Sequence, residues 1–160
     1  MQPGEGCYNR VSMSRTAKIV FELEPDEDGF PPIGSEGLHA TPLEDGSFVL
    51  DNTPFFVTEV ALGDRIAADP ISGTEGKFAF SHVLEPSSAK SISIIFLVKE
   101  LEQGILDNLR SRDCYCEFAE IRALRMLAVS VPETCNYDEL RAYLMKHEAD
   151  KALSFAELAV

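Results

Sequence analysis

The stretch "KSISIIFLVKE", residues 90–100, is where the chain changes character. From Ile92 to Val98 it is almost continuously apolar, the pattern of a strand buried on both faces. "ELEQGILDNLRSRD" follows, with Leu101, Ile105 and Leu109 at the four-residue spacing of an amphipathic helix. "CYCEFAEI" and "ALRMLAVSVP" then read as two strands with no room for a helix between them. "NYDELRAYLMKHEADK" predicts a second helix, capped by Asn136 with Glu139 three residues on and lined inside by Leu140, Tyr143 and Leu144. "LSFAELAV" closes as a strand. The order strand, helix, strand, strand, helix, strand is that of a ferredoxin-like split βαβ plait over residues 89–160.

Before Lys90 the pattern is different. "AKIVFELEP" alternates, with Ile19, Phe21 and Leu23 on one side and charged residues on or near the other, so it predicts a half-buried strand. "GLHATPLEDGSFVLDNTPFF" reads as a hairpin turning at Asp45-Gly46, where glycine supplies the positive φ. "DRIAADP" and "GKFAFSHVLEP" add two short strands around "SGTEG". Four or five short strands without a helix predict a small, strongly bent sheet or SH3-like barrel over residues 15–88, since closure removes exposed edges. The fold class expected is therefore α+β, an all-β acidic part followed by a plait. Residues 1–14 are expected to be a flexible leader, because Met13 opens the patterned sequence.

The 160 residues carry 27 acids against 14 bases, a formal charge of −13. The imbalance is local: residues 1–88 hold 15 acids and 5 bases, residues 89–160 hold 12 and 9. Such a field repels nucleic acid and anionic lipid and draws in cationic partners. No stretch approaches the length of a membrane span, and the start lacks a basic region followed by an apolar run. A cytoplasmic protein with free thiols at Cys7, Cys114, Cys116 and Cys135 is the expectation.

Past Met13 the chain resembles the bacterial domain of unknown function 4265 family. The residues that carry the resemblance are "FELEPDEDGFPP" (21–32), "LDNTPFF" (50–56) followed by "LGDRI" (62–66), and "EPS" (85–87), with the "LAVSVP" strand and the closing helix in order. The resemblance supports the fold and a bacterial origin and carries no catalytic activity with it. Two departures stand out. The family pattern has a tryptophan two places before a Pro-Leu-like pair, near which His39 stands here, and a Ser-Gly-His run with a later arginine, which "SSAKSIS" (87–93) replaces. A polar site built on that histidine and arginine is not carried by this chain.

"ELEPDEDGFPP" (22–32) puts Glu22, Glu24, Asp26, Glu27 and Asp28 within seven positions with no cation among them. A calcium loop is a poor match, because Phe30, Pro31 and Pro32 fall where ligands belong. Two readings remain: a solvated loop held extended by self-repulsion and the prolines, or a docking surface for a basic partner. Glu44, Asp45 and Asp51 lie in the same acidic half and join that surface, with Phe30 as an apolar anchor; Phe55 and Phe56 are further anchor candidates, or plain core.

Cys114, Cys116, Cys135 and His147 match no zinc spacing and read as buried small residues and a helix-end cation. "SSAK" (87–90) has the Ser-x-x-Lys spacing of penicillin-binding enzymes but precedes a strand and lacks the companion motifs. His82 alternates with Phe80 and Leu84 and is expected on the core side.

The sequence thus predicts no catalytic residues, metal or cofactor. It predicts a non-enzymatic acidic binding protein, in the manner of an immunity protein that occludes a basic, nuclease-like toxin, with no nucleic-acid or membrane partner. The alternative is a small-molecule-sensing or regulatory ferredoxin-like module. Homodimerisation suits either.

Overall fold

The computed structural model describes residues 16–160, so the expected leader and Cys7 lie outside the described residues. The first strand, β1 (Ala17–Glu22), buries Ile19 and Phe21 while Lys18 and Glu22 face solvent, as the alternation requires. It pairs antiparallel with β2 (Ser35–Pro42), setting Ile19 opposite Leu38. The tight turn at Gly46, whose φ is 87°, returns the chain into β3 (Phe48–Leu50). Strands β4 (Arg65–Pro70) and β5 (Lys77–Glu85) complete a closed five-stranded barrel, sealed by parallel pairing of Lys18–Val20 with Lys77–Ala79. This barrel fits the SH3-like reading. Its core gathers Ile19, Leu38, Leu50 and Ile66, with Phe21 stacked on Phe80 at 4.6 Å and Phe48 tilted on Phe78 at 4.7 Å.

The second half is a four-stranded antiparallel sheet with two helices. Its strands are β6 (Lys90–Phe96), β7 (Tyr115–Ile121), β8 (Leu124–Val131) and β9 (Leu153–Ala159), in the order β7-β8-β6-β9. Helices α1 (Glu102–Ser111) and α2 (Tyr137–Ala149) cover one face, where Ile105, Leu109, Leu140 and Leu144 meet Ile92, Ile94, Leu127 and Val129. The Asn136 carboxamide oxygen accepts the Glu139 N–H at 3.2 Å, the cap that the sequence announces.

The opposite face of this sheet carries Ser91, Ser93, Met126 and Ser130, all buried, because the connection between β3 and β4 lies across it. Three hydrogen bonds join the halves. Glu59 N–H donates to the Leu158 carbonyl at 2.9 Å, the Ser91 hydroxyl to the Val60 carbonyl at 2.9 Å, and the Asn52 amide to the Glu117 carboxylate at 3.0 Å. Among the described residues, no helix is long and apolar enough to cross a membrane.

Three local expectations fail for identifiable reasons. Leu101 is exposed rather than part of the α1 stripe, because Lys99–Leu101 forms a separate 3-10 turn and the helix starts at Glu102. His82 faces solvent, not the core. Ala68 pairs with Phe80 and Ala67 with His82, so Ser81 is an extra residue that reverses the alternation and sends Val83 inward opposite Ile66. The acidic stretch is not extended: Asp26 N–H donates to the Phe30 carbonyl at 2.7 Å, and one oxygen of its carboxylate accepts the N–H groups of Asp28 and Phe30 at 2.9 and 3.0 Å.

Candidate functional site

The nine residues singled out from sequence occupy three places. Glu22, Glu24, Asp26, Glu27, Asp28 and Phe30 lie at or beyond the exit of β1, all of them exposed. Glu44 and Asp45 lie in the hairpin turn at the far end of β2, about 23 Å away along eight residues of strand. Asp51 follows β3 on the barrel's flank, its carboxylate accepting the Thr41 hydroxyl at 2.6 Å. The structure brings the first six together and leaves the other three apart from them.

Two of the separated acids, Asp45 and Asp51, have local employment. Asp45 accepts the hydroxyl and the N–H of Ser47 at 2.5 and 2.9 Å, and these bonds, with Arg65 at 3.6 Å, hold its carboxyl below the usual range. In the first group only Asp26 is so engaged among the described residues, with the N–H groups of Asp28 and Phe30. Among the described residues the ion pairs run from Arg65 to Asp45 and Glu85, from Arg125 to Glu102 and Glu120, and from Arg141 to Glu157. No cation of the described residues pairs with Glu22 through Asp28.

Beside this group the barrel opens. β1 and β5 pair only as far as Val20 and Ala79, and beyond that point they part around a cleft of about 550 Å³. Phe21, Leu23, Phe56 and Phe80 supply its apolar lining, and Glu22 and Glu24 stand among them with exposed carboxylates. An apolar trough edged by unpaired carboxylates suits an extended cationic segment with apolar side chains between its charges.

Phe56 and Val57, which line the trough, are held from behind by a buried carboxylate. Glu36, on β2, is 7% exposed. One of its oxygens accepts the Phe55 N–H at 2.6 Å, the other those of Phe56 and Val57 at 3.0 and 2.9 Å. Burial raises its pKa against the pull of those three donors. Asp64 is buried likewise, accepting N–H groups from Ala61 at 2.9 Å and Ser87 at 2.7 Å, while the Ser87 hydroxyl donates to the Leu62 carbonyl at 2.7 Å. Ser87 is thus a latch between loops, and Lys90, three residues on, begins β6. Gly63 takes the positive φ of 86° that lets its own N–H reach the Leu50 carbonyl at 2.9 Å. The "LDNTPFF", "LGDRI" and "EPS" motifs are therefore one polar framework that shapes the connection between barrel and sheet. No local pattern signals it, since the partners of Glu36 lie 19 to 21 residues away.

Cys114, Cys116 and Cys135 are free thiols. Burial pushes Cys114 up to about 12 and Cys116 up to about 11, far from the thiolate that redox or metal chemistry uses. The Ser81 hydroxyl lies 2.9 Å from Nδ1 of His82, a pairing that no motif marks. That pair is exposed, and no carboxylate among the described residues orients the ring.

No curated protein matches this chain. Among solved structures, a hypothetical protein from Neisseria gonorrhoeae superposes with a TM-score of 0.68 at 21% identity, covering 90% of this chain and 94% of that one, which shows a shared fold. A family model described as Domain of unknown function (DUF4265) matches residues 36–155. The matched span begins at the buried Glu36 and takes in the whole polar framework and nearly all of the second sheet, and on that match the chain belongs to the DUF4265 family.

Proposed function

We propose that the protein is a non-enzymatic binding protein that receives a basic protein partner in the trough between β1 and β5, in the manner of a bacterial immunity protein that occludes a cationic, nuclease-like toxin. One observation carries this reading: Glu22 and Glu24 line an apolar cleft, and no cation of the described residues pairs with any carboxylate from Glu22 to Asp28. Carboxylates in such a place stand where the partner's phosphate ligands would, and arginine meets them in bidentate fashion. The turn set by Asp26 presents its neighbours Glu27 and Asp28 on backbone that is already ordered, so binding costs only the freedom of their side chains. Glu44, Asp45 and Asp51 face elsewhere and contribute to long-range steering rather than contact.

The second sheet we read as a ferredoxin-like plait. Its strand order β7-β8-β6-β9, antiparallel throughout with both helices on one face, supports this. In this reading the plait is the platform that holds the β3–β4 connection, and through it the trough.

The test replaces Glu22, Glu24 and Glu27 by Gln and Asp28 by Asn, leaving Asp26 to keep the turn, and measures binding to a purified cationic toxin domain at 50 and 200 mM salt. The expected result is affinity that drops about tenfold or more with salt in the wild type and is both weaker and nearly salt-independent in the variant. Equal binding by the two proteins at both salt concentrations would remove the trough from the mechanism.

A further inference from the structure

A second cavity, of about 140 Å³, lies on the other side of Phe56, between the acidic turn and the outer face of the second sheet. Ile95, Met126 and Leu158 form apolar walls, and Phe30, 41% exposed, stands at its edge with its ring edge-on to Phe56 at 5.6 Å. Two serines are the polar side chains of this lining: Ser154, which is exposed, and Ser93. Ser93 is only 5% exposed, and its hydroxyl has no hydrogen-bond partner within the protein. Its neighbour two residues earlier on the same face, Ser91, donates to the Val60 carbonyl; Ser93 makes no such bond.

We propose that this cavity is a binding site for one neutral aromatic ring bearing a hydroxyl, with Ser93 as its polar contact. The volume is close to that of the roughly 150 Å³ apolar cavity known to take up benzene. An unmatched buried hydroxyl is costly, and a ligand hydroxyl, which both donates and accepts, removes that cost. Specificity for a neutral group follows from the lining, which offers no charged side chain. The ring comes either from a free phenol or from a tyrosine side chain on a peptide. The site does not depend on the reading of the trough, because its chemistry is apolar and uncharged.

The experiment titrates p-cresol, toluene and N-acetyl-tyrosinamide separately into the full-length protein and follows the methyl resonances of Ile95, Met126 and Leu158. The expected result is saturable shifts at those methyls, with Ser93→Ala weakening p-cresol about fivefold and leaving toluene unchanged. Ser93→Leu, which fills the cavity, abolishes both. Ser93→Cys, nearly the same size with a poorer donor, gives the same ordering as Ser93→Ala if the alanine variant folds badly. Saturation by N-acetyl-tyrosinamide assigns the ring to a peptide, and saturation by p-cresol alone assigns it to a free phenol. Absence of saturable shifts with every probe, or equal weakening of p-cresol and toluene by Ser93→Ala, overturns the proposal. Neither outcome touches salt-dependent binding at the trough, so the two readings fail separately.

Discussion

In the barrel half, two of the buried side chains are carboxylates: Glu36 and Asp64 between them accept five backbone N–H groups from the segments that cross between barrel and sheet. In the sheet half the buried polar residues are three serines, all on the face turned toward the barrel, and the helix-covered face is closed by apolar side chains. The difference follows from strand length. β3 has three residues, too few to satisfy a 14-residue connection by ladder pairing, so side-chain oxygens take over the work of backbone carbonyls there. β6 and β8, seven and eight residues long, pair over six positions and need nothing of the kind.

The comparison breaks first at Glu36. Glu36→Ala strands three donors at once, two of them buried and one half-buried, and is expected to cost about 4 kcal/mol in urea unfolding, more than a typical core truncation. A loss below 1 kcal/mol would mean that the connection is satisfied without it, and that the two halves are stabilised alike.

Next comes Leu140→Ala, which opens a hole between α2 and the sheet and is expected to cost about 3 kcal/mol. The sharper reading lies in the shape of the transition. Glu59, Val60 and Asn52 tie the halves together, so both variants are expected to unfold in a single step seen equally by far-ultraviolet circular dichroism and by tyrosine fluorescence. Two separated steps in either variant would show barrel and sheet to be independent.

The sheet half was far more legible in the sequence than the barrel half, and the same contrast explains why. Ile105, Leu109, Leu140 and Leu144 repeat at helical spacing, and Asn136 is a local cap; period and cap are short-range signals, and the structure returns them intact. In the barrel, Asp45-Gly46 and the β1 alternation were readable for the same reason. What was missed is non-local or depends on a single inserted residue. Ser81 reverses the phase of β5 without any breaker residue to mark it, and Glu36 and Asp64 look like two more surface acids until their partners, up to 23 residues distant, are placed. The candidate site was half legible: the unpaired run from Glu22 to Asp28 is visible in composition, but the trough beside it exists because β1 and β5 part after Val20, and Glu44 and Asp45 fall away along β2.

The smallest expected effect concerns which force governs the buried carboxyl. Three N–H donors alone would favour the charged form and lower the pKa of Glu36, whereas burial, with a lesser push from Glu117, favours the neutral form, and the balance is a raised pKa. A folded-state value above the unfolded one means that the stability contributed by this group is complete below the ordinary glutamate range and declines as pH rises through the folded value. The gap in unfolding free energy between wild type and Glu36→Gln is therefore expected to be widest near pH 4 and to narrow toward neutrality, because the amide does not titrate. A gap that widens instead as pH rises would show the three donors outweighing burial, and would make the connection a clamp for an anion rather than one that favours the neutral acid.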